Sequence, residues 1–220
     1  VVPAFNEGPA LAAVLADLVR LPYRVVVVDD GSADDTAAQA GRFDVCLLRH
    51  IWNLGQGAAL ATGISYALGL PATRYVVTFD ADGQHSAADI SQMITALETG
   101  GLDVVLGTRF GRDGSARGIP FVRRLTLRLG TAFTRLTTGL CLTDTHNGMR
   151  AFTAAAAGQM MITQNRMAHA SEILSRIAEL GLRYRELPVT ISYDGYSAAK
   201  GQRSIDAVTI LWDIATSRMR

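Results

Sequence analysis

Four consecutive valines, Val25 to Val28, run straight into Asp29-Asp30-Gly31-Ser32, and this stretch limits the fold more than any other. Four β-branched residues in a row suit a strand covered on both faces and suit an amphipathic helix poorly. Short apolar runs of the same kind recur at Val45 to Leu48, Tyr75 to Phe79 and Val104 to Leu106. Helical patterns lie between them. Leu11, Val14, Leu15, Leu18 and Val19 share one helical face, and Ala58 to Leu70 and Ala87 to Leu97 also read as helices. Strands alternating with helices predict an α/β fold, with a mostly parallel central sheet and helices on both faces. In such sheets ligands bind beyond the carboxyl ends of the strands.

The bulk properties narrow the function classes. The chain has 220 residues, 49% hydrophobic and 19% charged, with a formal net charge of +1. That length suits one domain with a full core. The balanced charge argues against nucleic acid as a partner, which calls for a basic excess or stripe. Cys46 and Cys141 lie far apart in apolar runs without zinc or redox spacing, and are expected to be buried free thiols. The opening apolar run is too short for a secretory signal and has no basic leader. No stretch approaches the ~20 apolar residues that cross a bilayer. Any membrane contact is therefore expected from the side.

After Gly107 the pattern loosens. Phe110 to Pro120 reads as a mobile loop, and Arg123 to Thr138 as a basic amphipathic helix. A further helix spans about Ala170 to Leu180, with Ile173, Leu174, Ile177 and Leu180 on one side. Two short strands are expected around Arg183 to Tyr193, then a Gly/Ser/Lys loop and a last helix from about Ser204. On that helix Ile205, Val208, Trp212 and Ala215 share a face flanked by Arg203, Arg218 and Arg220. Lying on a bilayer, packing on the preceding domain and forming a homo-oligomer contact all fit this face.

Chemistry concentrates where the apolar runs end. Asp80-Ala81-Asp82 follows Tyr75 to Phe79 directly. Two carboxylates at i and i+2 suit a hard divalent cation, which can bridge the phosphates of a nucleotide-sugar and offset charge on the departing diphosphate. Gly83 allows a sharp turn, Gln84 can add a neutral oxygen, and His85 is close in sequence. A solvated, helix-capping turn is the plainer use of such a pair. A carboxylate of Asp29-Asp30 can accept from a base N–H, while Ser32 or Asp34 can cap the next helix. Pro3, Phe5 and Glu7 end the first strand at the same edge, where Phe5 can pack on a nucleobase and Glu7 can bond a ribose hydroxyl. Asn53 to Leu60 is glycine-rich, yet Leu60 stands where a dinucleotide fingerprint needs its third glycine. That disfavours a NAD-dependent dehydrogenase and favours a tight turn near the donor pocket. A nucleotidyltransferase would show a basic Gly-rich loop near its start, and Pro3 to Pro9 is not one.

Four motifs occur in order: Pro-Ala-Phe-Asn-Glu, Val-Asp-Asp-Gly-Ser-x-Asp-x-Thr, Asn-x-Gly-x-Gly-x-Ala-Leu and Asp-Ala-Asp-Gly-Gln-His. Together they resemble the family 2 glycosyltransferases of GT-A fold, particularly the dolichol/polyprenyl-phosphate sugar transferase branch. The resemblance implies that Pro3, Ala4, Phe5, Glu7, Asp30, Asp80 and Ala81 line a nucleotide-sugar pocket. It implies that Asp80, Asp82 and Gln84 surround Mg²⁺ or Mn²⁺. Gly107-Thr108-Arg109 matches the branch's Gly-Ser-Arg, and with Arg123 it implies two arginines on the acceptor phosphate. Arginine suits that task because its planar fork pairs bidentately with phosphate. Asp144 to Arg150 resembles the branch's Asp-x-x-Ser/Asn-Gly-Leu/Phe-Arg segment and contains His146. Ser197 to Gln202 resembles a Ser-Lys loop that closes on the donor diphosphate, although two alanines separate Ser197 from Lys200.

The implied activity is inverting transfer from a GDP-mannose or UDP-glucose type donor to a polyprenyl or dolichyl phosphate, with Asp82, Arg109, Arg123 and Lys200 as the catalytic set. A phosphate acceptor is already ionised and needs no strong general base, whereas a hydroxyl acceptor would call on a carboxylate such as Glu172. The expected organisation is one domain over 1–203, with a donor half to about 107 and an acceptor half from about 108, followed by an amphipathic helix at 204–220. The expected location is the cytoplasmic face of a membrane, as a peripheral protein. A sugar-hydroxyl acceptor in cell-surface polysaccharide or glycolipid synthesis is the alternative, and a non-catalytic nucleotide-binding subunit a more distant one.

Overall fold

The computed structural model describes residues 1–110, 131, 134–145, 147–164 and 168–192. Arg123, His146, Lys200 and the 204–220 segment lie outside the described residues, as do the loop after Phe110 and most of the helix expected over 123–138. The elements run β1 (Val2–Ala4), α1 (Gly8–Leu18), β2 (Val26–Asp29), α2 (Thr36–Ala40), β3 (Cys46–Arg49), α3 (Gln56–Gly69), β4 (Tyr75–Thr78), α4 (Asp89–Gly100) and β5 (Val104–Thr108). Helical residues 134–138 (α5) follow. The described chain closes with β6 (Arg150–Thr153), α6 (Ala154–Gln159), α7 (Ala168–Glu179) and β7 (Tyr184–Pro188).

β1, β2 and β3 pair in parallel, in the order β1-β2-β3. The other strands pair in the order β4-β6-β5-β7. Val1 joins the two groups: its nitrogen donates to Val77 O (2.7 Å) and its carbonyl accepts from Phe79 N (3.0 Å). The result is a mostly parallel sheet in which β6 alone runs antiparallel to its neighbours β4 and β5. Side-chain alternation sends successive residues to opposite faces. Val105 and Ala151 pack with Leu11, Leu15 and Met93 of α1 and α4. Val104 and Phe152 pack with Ile64, Ile173 and Ile177 of α3 and α7. Helices cover both faces, as the alternating pattern predicts.

Several local expectations meet corrections. The α1 face buries Leu11, Val14, Leu15 and Leu18, but Val19 caps the helix end and is exposed. Of the two strands expected near 183–193, one forms as β7 and the other shrinks to an isolated bridge between Ile191 and His85. Neither cysteine is buried: Cys46 is half-buried and Cys141 exposed. The cause at Cys141 is alternation, since Leu140 and Leu142 on either side point inward and turn the thiol outward. Neither Ser32 nor Asp34 takes the N-cap of α2, which falls to Asp35 without a side-chain cap bond; Asp34 Oδ1 instead accepts from Thr36 N (3.0 Å) and from the Thr36 hydroxyl.

Candidate active site

The carboxyl ends of β1, β2, β3 and β4 open on one edge, and the sequence motifs gather there. After β1 the chain turns through Asn6, held at φ 54°. Asn6 N donates to Ser32 Oγ (2.9 Å), and Ala33 N donates to Asn6 Oδ1 (2.9 Å). Glu7 N donates to Thr36 Oγ1 (2.9 Å), so the turn is sewn to the loop after β2. Ala4 is buried within β1 beside Pro3, and Phe5 is 42% exposed at the rim.

Asp29 and Asp30 have separate tasks. Asp29 is fully buried; its Oδ1 accepts from Ser32 N (2.9 Å), and its Oδ2 lies 3.0 Å from Arg49 Nε in an ion pair. Asp30 organises the glycine-rich turn. Its Oδ1 accepts from Leu54 N (2.9 Å) and faces His50 Nδ1 (2.7 Å), while its Oδ2 accepts from Gly55 N (2.7 Å). His50 Nε2 lies 3.0 Å from Thr62 Oγ1, which fixes the ring between loop and helix. Gly55 takes φ 96°, in the region that only glycine enters cheaply, and releases the chain into α3.

That turn delivers Gln56, whose Nε2 donates to Asp80 Oδ1 (3.1 Å). Asp80 Oδ2 lies 3.5 Å from His85 Nε2. Behind the carboxylate stands Gly148, where a Cβ would come within 2.0 Å of Asp80 Oδ2. Burial pushes the Asp80 carboxyl upward, but the hydrogen bond and charge of His85, with the charges of Arg150 and His169, outweigh it and hold the group below its usual value. Asp82 shifts the other way. Burial and the neighbouring Asp80 charge raise it, against the opposing Gln84 N–H, which donates to Asp82 Oδ1 (3.0 Å). The second Asp82 oxygen takes no hydrogen bond among the described residues.

Behind the pair, Gln84 O accepts from Ser192 N (2.8 Å), and the His85 ring meets Phe79 edge-on at 5.8 Å between centroids. Among the described residues no cluster of three or more His, Cys, Asp or Glu side chains could hold a metal. Two carboxylates and an amide are a hard oxygen set too sparse for a closed cage. They fit a cation that completes its coordination with water and substrate phosphate, as Mg²⁺ and Mn²⁺ do.

Arg109 follows β5 on the neighbouring side. Its Nε donates to Asp144 Oδ2 (2.6 Å), its backbone N donates to the same oxygen (3.1 Å), and its side chain is 11% exposed. Asp144 is held in turn, since Glu186 accepts from Asp144 N (3.0 Å) and from Thr143 N (2.8 Å). Arg150, the first residue of β6, sits opposite Thr78 of β4 and Leu106 of β5. Burial lowers its guanidinium to about 10, against the charges of Asp80 and Asp144, which favour the cation. It is a buried positive charge shared by the Asp80 side and the Arg109 side of the site. Glu172 accepts from Thr163 N, Thr163 Oγ1 and Gln164 N at 2.6–3.1 Å, so its carboxylate is engaged in holding a loop.

Phe5, Glu7, Asp30, Asp80, Ala81, Asp82, Gln84 and Arg109 thus all follow strand ends at the same carboxyl edge of the sheet. Gly148 and Arg150 lie in the segment that the resemblance marks, without a role assigned to them there, and Gln56 carries a task that the sequence does not point to. Gln56 at the start of a helix looks like an ordinary surface residue, and the burial of Arg150 becomes evident only with the sheet order. A cavity of about 420 Å³ opens at the opposite, amino-terminal end of the sheet beside Pro22, Tyr23 and Pro71, away from all of these carboxylates.

An α/β sheet with an acidic pair at the mouth of its fourth strand, backed by a buried arginine, defines a GT-A type glycosyltransferase. The chain belongs to glycosyl transferase family 2, which it matches over residues 1–159. It is 35% identical to an uncharacterized protein of Methanocaldococcus jannaschii over 100% of this chain and 91% of the relative. It is 28% identical to the UDP-N-acetylglucosamine–dolichyl-phosphate N-acetylglucosaminyltransferase of Methanococcus voltae, over 100% of this chain and 95% of that protein. Its fold matches glucosyl-3-phosphoglycerate synthase from Mycobacterium tuberculosis, solved with Mn²⁺, uridine diphosphate and glucosyl-3-phosphoglycerate, at a TM-score of 0.70 and 18% identity. That match covers 94% of this chain and 73% of the synthase.

Proposed function

We propose that this glycosyltransferase moves a sugar from a nucleotide-sugar to a polyprenyl or dolichyl phosphate, with inversion and with a divalent cation. The observation that carries the proposal is the restrained Asp80 beside the more open Asp82. Gln56, His85 and Gly148 fix the first carboxylate, while the second is bound by Gln84 N and is the less deeply buried of the two. In this reading Asp80, Asp82 and Gln84 hold Mg²⁺ or Mn²⁺, which offsets charge on the departing diphosphate when bound. Pro3, Ala4, Phe5, Glu7 and Ala81 line the nucleotide, and Asp30 shapes the pocket by fixing the Leu54–Gly55 turn.

Arg109, oriented by Asp144, steers the acceptor phosphate toward the anomeric carbon with Arg123, while Lys200 adds charge at the diphosphate. No step requires a base, because the phosphate oxygen is already a nucleophile. The full-length similarity to the dolichyl-phosphate enzyme of Methanococcus voltae supports this acceptor class over a sugar hydroxyl. So does the engagement of Glu172 by the 163–164 loop. No helix among the described residues is long and apolar enough to cross a membrane. The similarity to enzymes named for lipid-phosphate substrates supports a peripheral place at the cytoplasmic face of a membrane.

The test is a panel of radiolabelled UDP- and GDP-sugars offered with polyprenyl phosphate and with soluble sugar acceptors, with and without Mn²⁺. A lipid-extractable product of inverted configuration that needs the metal is expected. Product appearing on soluble hydroxyl acceptors alone would reject the lipid-phosphate acceptor.

A further inference from the structure

We propose that the Ile51–Leu54 loop is a membrane-docking element that seats Ile51 and Trp52 in the interface of a lipid bilayer. Ile51 is 90% exposed, Trp52 64% and Leu54 41%, so three large apolar side chains stand in solvent within four residues. Single exposed apolar residues are ordinary on soluble proteins, whereas clusters mark contact surfaces.

Their exposure is imposed by a fixed backbone. His50 N donates to Asp29 O (2.9 Å) just before the loop. Leu54 N and Gly55 N are bound by the buried Asp30 carboxylate just after it. Between those anchors Gly31, at φ +72°, packs so closely that a Cβ on it would lie 2.5 Å from the Trp52 carbonyl carbon. The chain is clamped on the sheet side, and the side chains have only the outward direction left.

Two features favour a bilayer as the occupant. Tryptophan, with its apolar body and single N–H donor, prefers the headgroup level of a membrane, and isoleucine beside it can enter the acyl region. The base of the loop adds no free charge, since Arg49 is ion-paired with the buried Asp29 carboxylate, so the contact is apolar rather than electrostatic. The loop also projects from the carboxyl edge that bears Asp80 and Asp82, and two residues beyond it Gln56 bonds Asp80. Docking through this loop would present the catalytic edge to the plane where a lipid-linked phosphate lies. The inference takes that purpose from the lipid-phosphate reading, but the docking itself is measured without any transfer.

The experiment uses the full chain in a Trp212→Phe background, which leaves Trp52 as the single tryptophan. Vesicles of phosphatidylethanolamine and phosphatidylglycerol should shift Trp52 emission to shorter wavelength, and brominated acyl chains should quench it. Ile51→Ser with Trp52→Ser should lower vesicle partitioning at least tenfold, with unchanged circular dichroism and unchanged nucleotide affinity in Mn²⁺. Sedimentation with vesicles but no change in Trp52 emission would overturn the proposal by placing the contact elsewhere. Loss of nucleotide affinity in the double variant would overturn it by assigning the loop to the donor pocket. A lipid-independent change in sedimenting mass would do the same in favour of a protein contact. Retained Trp52 insertion with no lipid-linked product would reject the acceptor reading while leaving the docking loop intact.

Discussion

Replacing Gly148 by alanine tests the central geometry with one methyl group. The new Cβ would lie 2.0 Å from Asp80 Oδ2 and 2.5 Å from Cγ, where ordinary contact begins near 3.4 Å. Something must therefore give by about 1.4 Å. Neither side yields easily. Asp80 Oδ1 is tied to Gln56 and Oδ2 faces His85, while Gly148 O accepts from Thr78 Oγ1 (2.7 Å) inside the sheet. A misplacement of about 1 Å at a reacting centre can lower rates by about 10²-fold, equivalent to ~2.7 kcal/mol of transition-state stabilisation. Overpacking of this kind destabilises by roughly 1–3 kcal/mol, which for a domain of this size lowers Tm by about 2–12 °C. Transfer kcat/KM, nucleotide affinity with and without Mn²⁺, and thermal melts should be read together. Gly69→Ala is the control, because a Cβ at Gly69 meets nothing within 4 Å. The reasoning fails if Gly148→Ala loses stability yet keeps kcat/KM within twofold and its metal-dependent nucleotide affinity. In that case the position of Asp80 does not govern the reaction.

Four further outcomes are expected. The folded Asp82 value lies above its unfolded one near 3.8, so its charge weighs against the fold at neutral pH and the penalty fades as pH falls through the folded value. Asp82→Asn should therefore raise the melting temperature of the metal-free protein at pH 7 and abolish the rise produced by Mn²⁺. In the parent protein the Mn²⁺ effect should fade on acidification as Asp82 takes up its proton, ahead of Asp80, whose stabilisation is lost only as pH falls from the usual carboxylate value through its depressed one. Asp30→Ala leaves the Leu54 and Gly55 amides and the His50 ring without their acceptor and should destabilise by about 2–4 kcal/mol, seen as a lowered urea midpoint. Glu172→Gln should keep transfer activity within about threefold, since a general base typically contributes 10²–10⁴-fold; a loss of that size would make Glu172 a base and favour a hydroxyl acceptor.

The first five strands were legible because each follows one rule: an apolar run ends where a carboxylate, arginine or small polar residue begins. β6 escaped that rule. Arg-Ala-Phe-Thr has one large apolar residue and a charge, and it becomes a strand because β4 and β5 leave a slot between them. The missing strand hid the meaning of Arg150, whose burial follows from that central slot. Asp80 and Asp82 were readable from spacing, and the tight turn at Asn53 to Leu60 from its glycines. That Gln56 would reach Asp80, or that Gly148 would stand behind it, depends on distances across the sheet that no local pattern encodes. Period-2 alternation at Leu140-Cys141-Leu142 was present in the sequence but overshadowed by the general tendency of cysteine to be buried.

The reversed strand also restricts how such enzymes can be recombined. A chimera with its crossover near residue 107 would take β4 and β5 from one parent and β6 from the other, so the graft must satisfy both ladders at once. Arg150 travels with the second parent while Asp80, which answers to its charge, stays with the first. Neither half is therefore exchangeable as a cassette unless the 144–153 segment is matched to its host.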